Sequence, residues 1–407
     1  MSAASAGPDD GGAQDCGIDR AEHDAVGPYD LEAHIRWRLG RFADGPVRWP
    51  AALERIVAPP GPPQAPGALG IWLSALKQGA PPGFLPLNGY DRRITWTGQG
   101  FVAEKSNPRS RRPVWFGNAF HRMGATAPMV LNHCDAQGWD YASAWPLLRD
   151  LPVFQYCRLP RQRDQVALVA LDDGYAGPGS EAVPGEGFDQ LSFDEKRPRL
   201  VFRGRCSGTL HSPGHIDWAE GHLRRILDAP QADPTEPLAA LMRFPRPRAI
   251  RLLAGLDWAD VGLVLTTQER RLCPRRALPE PLRALIRSPL DRRRLLRSRY
   301  ILCIDGNDVP SGLYWALQSN SLVFRMSTGW ETMLDFGLRP WEHYVPVKPD
   351  GSDLAAAFAR CEADPGMCRA IIANAHRAMS WASDPAFRDQ IDRATLARYG
   401  ANMVLEQ

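Results

Sequence analysis

Lysine is nearly missing from this sequence. It occurs at Lys77, Lys105, Lys196 and Lys348, so 45 of the 49 basic residues are arginine. With 37 prolines and abundant alanine, this bias points to a GC-rich coding sequence and not to a function. Net charge is scarce too. A formal +3 over 407 residues is too little for a protein that holds nucleic acid by neutralising phosphates, because such domains concentrate basic residues on one face. One basic concentration stands out, "RALIRSPLDRRRLLRSR" at 283–299, where Arg292, Arg293, Arg294, Arg297 and Arg299 sit among leucines. It reads as a solvated helix face, with contact to anionic lipid or a sugar phosphate as the alternative.

Cysteine pairs and long apolar runs are absent as well. The cysteines, at positions 16, 134, 157, 206, 273, 303, 361 and 368, form no CxxC pair and no metal-like cluster with histidine. They read as reduced, buried thiols, and no metal is expected. No stretch reaches the roughly 18 unbroken apolar residues of a membrane-spanning helix. The first thirty residues, "MSAASAGPDDGGAQDCGIDRAEHDAVGPYD", lack the basic start and apolar centre of a signal peptide. The expectation is a cytoplasmic protein, either free or in peripheral contact with the inner membrane surface. There is no GxGxxG after an early strand with an acidic residue about twenty positions on, which argues against a Rossmann-type oxidoreductase.

What is present suffices for folded cores: 44% of residues are hydrophobic, and the length suits two domains better than one. Residues 1–27 are rich in Gly, Ala, Asp and Ser and read as a disordered tail. From Tyr29, "YDLEAHIRWRLGRF" places Leu31, Ile35, Leu39 and Phe42 at helical spacing, and "GALGIWLSALKQG" ends on Gly79 as a capped helix would. "MVLNHCD" (129–135) and "LPVFQYC" (151–157) read as buried strands, and "LDDGYAGPGSEAVPGEG" (171–187) as a long loop or domain seam. A helix is expected around 217–228, a strand at "VGLVLT" (261–266), and closing helices at 352–363 and 368–382. Alternating strands and helices in two blocks predict an α/β protein of two doubly wound domains, 28–190 and 191–350, facing a cleft, with 351–407 packing back across them.

Four places could carry chemistry. The first is "YILCIDGNDVPSGLYWALQSNSLVF" (300–324), a central parallel strand that hands over to a helix through Gly306, Asn307, Asp308, Val309, Pro310, Ser311 and Gly312. Ligands of open α/β sheets sit at such strand ends, where a helix start favours an anion such as phosphate; Asp308 or Ser311 is suited to cap that helix. An ordinary βα turn wants the same residues. The second is "LVFRGRCSGT" (200–209), where Arg203 and Arg205 share a strand face around Gly204, with Ser207 beyond; arginine forks suit paired phosphate oxygens, or else they pair with Asp194 or Glu195. The third is Asp135 at the end of "MVLNHC", either a general base or a capping residue, with His133 beside it as a packed or surface residue. The fourth is Glu331 in "STGWETML" (327–334), placed either for a ribose diol or for the helix dipole.

Taken together, "EKRPRLVFRGRCSG", the 300–324 stretch, "GLRPWEHYVPVKPDGSDL" (337–354) and "MVLNHCDAQ" followed by "LPVFQYC" resemble glycosyltransferase family 90. That group includes capsule proteins, bacterial lipopolysaccharide sugar transferases and animal protein O-glucosyltransferases. The resemblance implies a GT-B-like architecture, a UDP-linked nucleotide sugar as co-substrate with no cofactor or metal, and a glycan, lipopolysaccharide or capsule acceptor on the N-terminal side. It implies Asp135 as general base. The sugar-donor site would comprise Arg203, Gly204, Arg205 and Ser207, residues Gly306 to Gly312, and Glu331. Two positions depart from the animal members, where Gly312 is an arginine and His211 another; Arg203, Arg205 or Arg251 would then carry the diphosphate charge. A catalytically inactive sugar- or nucleotide-binding protein on the same fold is the alternative.

Overall fold

The computed structural model describes residues 29–50, 84–87, 94–96, 101–103, 111–125, 127, 129–132, 138, 140–144, 146–170, 187–212 and 215–405. The expected tail (1–27), the helix ending on Gly79, most of the 171–187 loop, and His133 and Asp135 lie outside these residues.

Helix α1 (Leu31–Leu39) begins where the Asp30 carboxylate accepts a hydrogen bond from the Ala33 backbone N–H at 2.8 Å, supplying the cap that the first turn lacks. It ends at Gly40, whose φ of 57° is the left-handed conformation. A Cβ there would lie 2.0 Å from the Arg163 carbonyl oxygen, so glycine is required twice over. After β1 (Val47–Trp49) come β2 (Phe84–Leu87), α2 (Arg111–Arg122), β3 (Met129–Asn132), β4 (Val153–Gln155), β5 (Cys157–Arg158) and β6 (Val166–Leu168). Strands β2, β3, β4 and β6 form one parallel sheet in the order β2-β3-β4-β6. Every residue of β3 and β4 is buried, as expected of strands covered on both faces.

The second sheet is parallel throughout. Along the chain run β7 (Arg197–Gly204), α3 (Ala219–Asp228), α4 (Pro245–Leu253), β8 (Ala259–Leu263), α5 (Thr267–Leu272), α6 (Glu280–Arg283), α7 (Arg292–Leu295), β9 (Ser298–Ile304), α8 (Leu313–Leu317), β10 (Leu322–Met326), β11 (Glu331–Thr332) and β12 (Val345–Val347). The strand order is β8-β7-β9-β10-β12, with β9 at the centre. Alternation along β9 builds two cores: Tyr300, Leu302 and Ile304 join the core under α3 and α4, while Ile301 and Cys303 join the core under α8. Among the described residues the molecule is therefore mixed α/β, and its two largest sheets are parallel.

Three closing elements tie the two sheets together: α9 (Leu354–Ala363), α10 (Pro365–Ser383) and α11 (Pro385–Ala401), followed by β13 (Met403–Leu405). Asp364 and Asp384 cap α10 and α11 through their side chains, each ahead of a proline at the first helical position. Leu396 and Tyr399 of α11 enter the core of the first sheet, and β13 pairs in parallel with β1. The buried Arg38 guanidinium meets Asp392 at 2.5 Å. Between the sheets, β5 pairs antiparallel with β11. No helix among the described residues is long and apolar enough to cross a membrane.

Candidate functional site

At the carboxyl ends of β7 and β9, beside the start of α8, lies a cavity of about 450 Å³. Its lining includes Arg203, Gly204, Arg205, Ser207, Pro310, Ser311 and Gly312 of the expected set, together with Arg246, Leu295 and Trp315. The position follows from topology, because adjacent parallel strands leave their ends and the following turns facing one crevice. Gly306, Asn307, Asp308, Val309 and Glu331 lie outside this lining.

Arg203 and Arg246 are each held by four hydrogen bonds within the protein, whereas Arg205 is exposed. Arg203 is committed to the protein: its Nη2 donates to Asp260 Oδ1 at 2.6 Å, Nη1 to the Asp260 and Phe202 carbonyls, and Nε to the Ser288 carbonyl at 3.0 Å. Its partner is therefore Asp260 on the neighbouring strand, and Asp194 instead takes Arg369 at 3.0 Å. Arg205 is exposed at the mouth, and among the described residues no carboxylate pairs with it. Arg246, in the first turn of α4, does not belong to the set expected from sequence. Its Nε and Nη2 donate to the Ile304 carbonyl at 3.1 and 3.0 Å, and its Nη1 to the Arg205 carbonyl and Ser207 Oγ. Burial lowers its pKa from the ordinary guanidinium value, with Asp305 and Asp308 opposing; the group stays charged, since arginine does not deprotonate in proteins.

Gly306 exists for Arg246. A Cβ at Gly306 would lie 2.6 Å from Ser207 Oγ and 2.8 Å from the Arg246 guanidinium, so any side chain would displace the cation. Asn307 is turned inward: its Oδ1 accepts from the Gly208 N–H at 2.9 Å and its Nδ2 donates to Glu220 Oε1 at 3.1 Å, fastening the turn to the end of β7 and to α3. Asp308 accepts a hydrogen bond from the Tyr156 hydroxyl, and Val309 packs against Tyr156, Cys157, Leu159 and Trp330. Neither Asp308 nor Ser311 caps α8 as expected. Gly312 occupies the cap position without a side-chain bond, because Asp308 is drawn across to Tyr156. A Cβ on Gly312 would meet only the Trp315 indole, at 3.5 Å or more, so there is room for a side chain.

Glu331 lies at the junction between the sheets. Its Oε1 accepts from Arg158 Nε at 2.8 Å and Arg163 Nε at 2.9 Å, and its Oε2 from Arg163 Nη2 at 2.7 Å. Burial alone would raise its pKa, but the hydrogen bonds from Arg163 and Arg158 outweigh this and hold it below the usual carboxylate value. Asp305, at the end of β9, shows the opposite balance: burial raises its pKa, although Thr328 and Ser327 donate to Oδ2. Arg251 is exposed on α4 and does not line the cavity. On the first sheet, Asn132 closes β3 by donating to the Tyr141 hydroxyl and Gln155 Oε1 at 2.8 and 2.9 Å, three positions before Asp135.

Residues 287–381, which contain β9, the turn and α8, match the model of glycosyl transferase family 90. Among curated proteins, the O-glucosyltransferase LpsA of Dichelobacter nodosus is 38% identical over 94 residues, 23% of this chain and 30% of that protein. Uncharacterized protein 035R of invertebrate iridescent virus 3 is 28% identical over 126 residues, 30% of this chain and 12% of that protein. The chain thus spans less than a third of the length of either relative. Among solved structures, sucrose-phosphate synthase from Thermosynechococcus elongatus aligns over 70% of this chain and 72% of its own at 16% identity and TM-score 0.36. The C-terminal domain of a group 1 glycosyl transferase (LpcC) from Francisella tularensis aligns over 49% and 94% at 14% identity and TM-score 0.25. Likenesses this low add nothing to the topology given above. Residues 287–381, which include the turn that borders the cavity, are thus similar to glycosyl transferase family 90.

Proposed function

We propose that this chain is a glycosyltransferase of GT-B type that moves a sugar from a nucleotide donor, UDP-linked by family resemblance, to a hydroxyl of a glycan or lipid-linked glycan. The observation that carries this reading is the cavity at the ends of β7 and β9, where Arg205 and Arg246 and the Ser207 and Ser311 hydroxyls converge beside the family-matched turn. Paired phosphate oxygens fit guanidinium forks, and a preorganised cation stabilises the charge that develops on a leaving diphosphate.

Asp135, by the same resemblance, takes the proton from the acceptor hydroxyl. The acceptor oxygen then bonds to the anomeric carbon as the bond from that carbon to the diphosphate breaks. The proton ends on the carboxylate and the negative charge on the nucleoside diphosphate. Purified protein supplied with nucleotide sugars should release nucleoside diphosphate slowly by hydrolysis and faster with acceptor. Replacing Asp135 by Asn should abolish transfer while leaving sugar-donor affinity unchanged; near-normal turnover in that variant would remove Asp135 as the base.

A non-catalytic binding protein is the second reading, favoured by the open space at Gly312 where animal members of the family carry an arginine. Binding without any release of nucleoside diphosphate would select it.

A further inference from the structure

The charge of the chain is unevenly placed. Between residues 270 and 299 there are eleven arginines against Glu280 and Asp291, a net of +9, so the rest of a chain of formal charge +3 carries −6. This segment wraps the edge of the second sheet beyond β8, running from the last residues of α5 through a 3-10 turn (Arg275–Ala277), α6 and α7. Leu278, Leu282, Leu285 and Ile286 anchor it to the core, and Leu263 of β8 bridges to Ile286. Most of these arginines face outward, while Arg283, Arg292 and Arg299 are half-buried. Arg271, Arg275, Arg276, Arg293 and Arg297 are exposed, and among the described residues no carboxylate pairs with any of them. Leu272 stands among them with 41% of its surface in solvent.

Packing gives no reason for this arrangement, since uncompensated like charges oppose the folded state. We propose that this arginine-rich edge docks the protein on an anionic lipid bilayer. Guanidinium groups around an outward leucine suit a headgroup layer, where basic residues meet lipid phosphates and an apolar side chain reaches the acyl boundary. Nucleic acid fits less well. No aromatic residue occurs from Ala259 to Arg299 to stack on bases, and the longest helix of the segment has six residues, too short to read a major groove. The patch also borders the cavity: the Arg292 guanidinium lies 5.1 Å over the Trp315 ring, and Trp315 and Leu295 line the cavity wall. Docking at this edge would bring the cavity rim to the lipid surface. The inference stands on charge and exposure and holds or fails independently of the transferase reading.

The test is co-sedimentation of the full chain with vesicles of phosphatidylcholine alone and of phosphatidylcholine with phosphatidylglycerol, at low and raised salt. The protein should sediment with the anionic vesicles only and be released by salt. Each arginine at the surface contributes about fivefold to partitioning. The triple variant Arg271→Gln, Arg275→Gln, Arg276→Gln should therefore lose about a hundredfold, and Arg293→Gln with Arg297→Gln at least tenfold, with circular dichroism unchanged. Removing Arg377 and Arg393 from α10 and α11 should change partitioning by less than about twofold. Absence of sedimentation with anionic vesicles, or unchanged sedimentation of the triple variant, would overturn the proposal. So would an oligonucleotide that displaces the vesicles at equal charge, which would make nucleic acid the partner.

Discussion

The Tyr156 hydroxyl, carried between β4 and β5 of the first half, donates a hydrogen bond to the Asp308 carboxylate in the turn between β9 and α8. This bond reaches across 152 residues of sequence, and the contacts of Val309 with Tyr156, Cys157, Leu159 and Trp330 surround it with apolar side chains. The turn that borders the cavity is thus shaped by the opposite half of the molecule.

Replacing Tyr156 by Phe keeps the ring and deletes the hydroxyl. A hydrogen bond to a charged group contributes about 1.5–3 kcal/mol. The variant should lose stability of that order and bind nucleotide sugar several-fold more weakly, because the turn is no longer held from the first half. Unchanged affinity by calorimetry, with stability lowered, would make the bond purely structural.

Gly306→Ala puts a methyl group where Ser207 Oγ and the Arg246 guanidinium already sit, at 2.6 and 2.8 Å. Overpacking of this kind costs about 1–3 kcal/mol. The displaced cation should also reduce sugar-donor affinity by about tenfold or more, the equivalent of roughly 1.4 kcal/mol. Wild-type affinity in a folded variant would show that Arg246 does not contact the ligand.

Gly312→Arg has room, since the nearest atoms to a new Cβ belong to the Trp315 indole at ordinary contact distance. It adds a cation at the cavity rim. Affinity for a nucleoside diphosphate should rise by about tenfold, within the range of a charge-assisted pair. No gain would place the diphosphate elsewhere.

Acid should unfold the protein through His34 and Glu331. Burial, with Arg38 adding to it, lowers the His34 pKa from 6.5 to about 3, and the neutral ring stacks on Phe336 at 4.4 Å while its Nε2–H donates to the Met333 carbonyl at 3.0 Å. The unfolded chain therefore binds protons at higher pH than the folded one. Stability is full above pH 6.5 and falls as pH drops towards 3, with Glu331 adding in the same direction below the ordinary glutamate value. Urea midpoints measured from pH 7 to 4 should decline, and His34→Gln should flatten the upper part of that decline. A midpoint independent of pH over this range would contradict the assignment.

The sequence makes the β9–turn–α8–β10 passage readable because the elements are local: an apolar run buried on both faces, Gly and Pro punctuation, then a second apolar run. It also points to strand ends that meet in the structure, where Arg205 and Ser207 line one cavity with Ser311 and Gly312. What depends on tertiary proximity is not readable. Arg246 lines the cavity only because α4 lays its first turn against the ends of β7 and β9; the sole trace in sequence is an arginine directly after the proline that opens a helix. The sequence offers Glu331 for a ribose diol or a helix dipole, but its partners Arg158 and Arg163 lie 173 and 168 positions away. Asp308 and Arg203 show the same effect, each drawn to a partner that no local pattern announces.

In the proposed function, Arg205 and Arg246 grip the diphosphate of a nucleotide sugar in the cavity between β7, β9 and α8. Isothermal titration of a panel of nucleotide sugars into the wild-type protein and into Arg246→Ala tests it most directly. One of these ligands should bind, and the variant, still folded, should bind it at least tenfold more weakly, a loss of about 1.4 kcal/mol or more. Equal affinity in the two proteins, or no binding by the wild type to any of the panel, would contradict it.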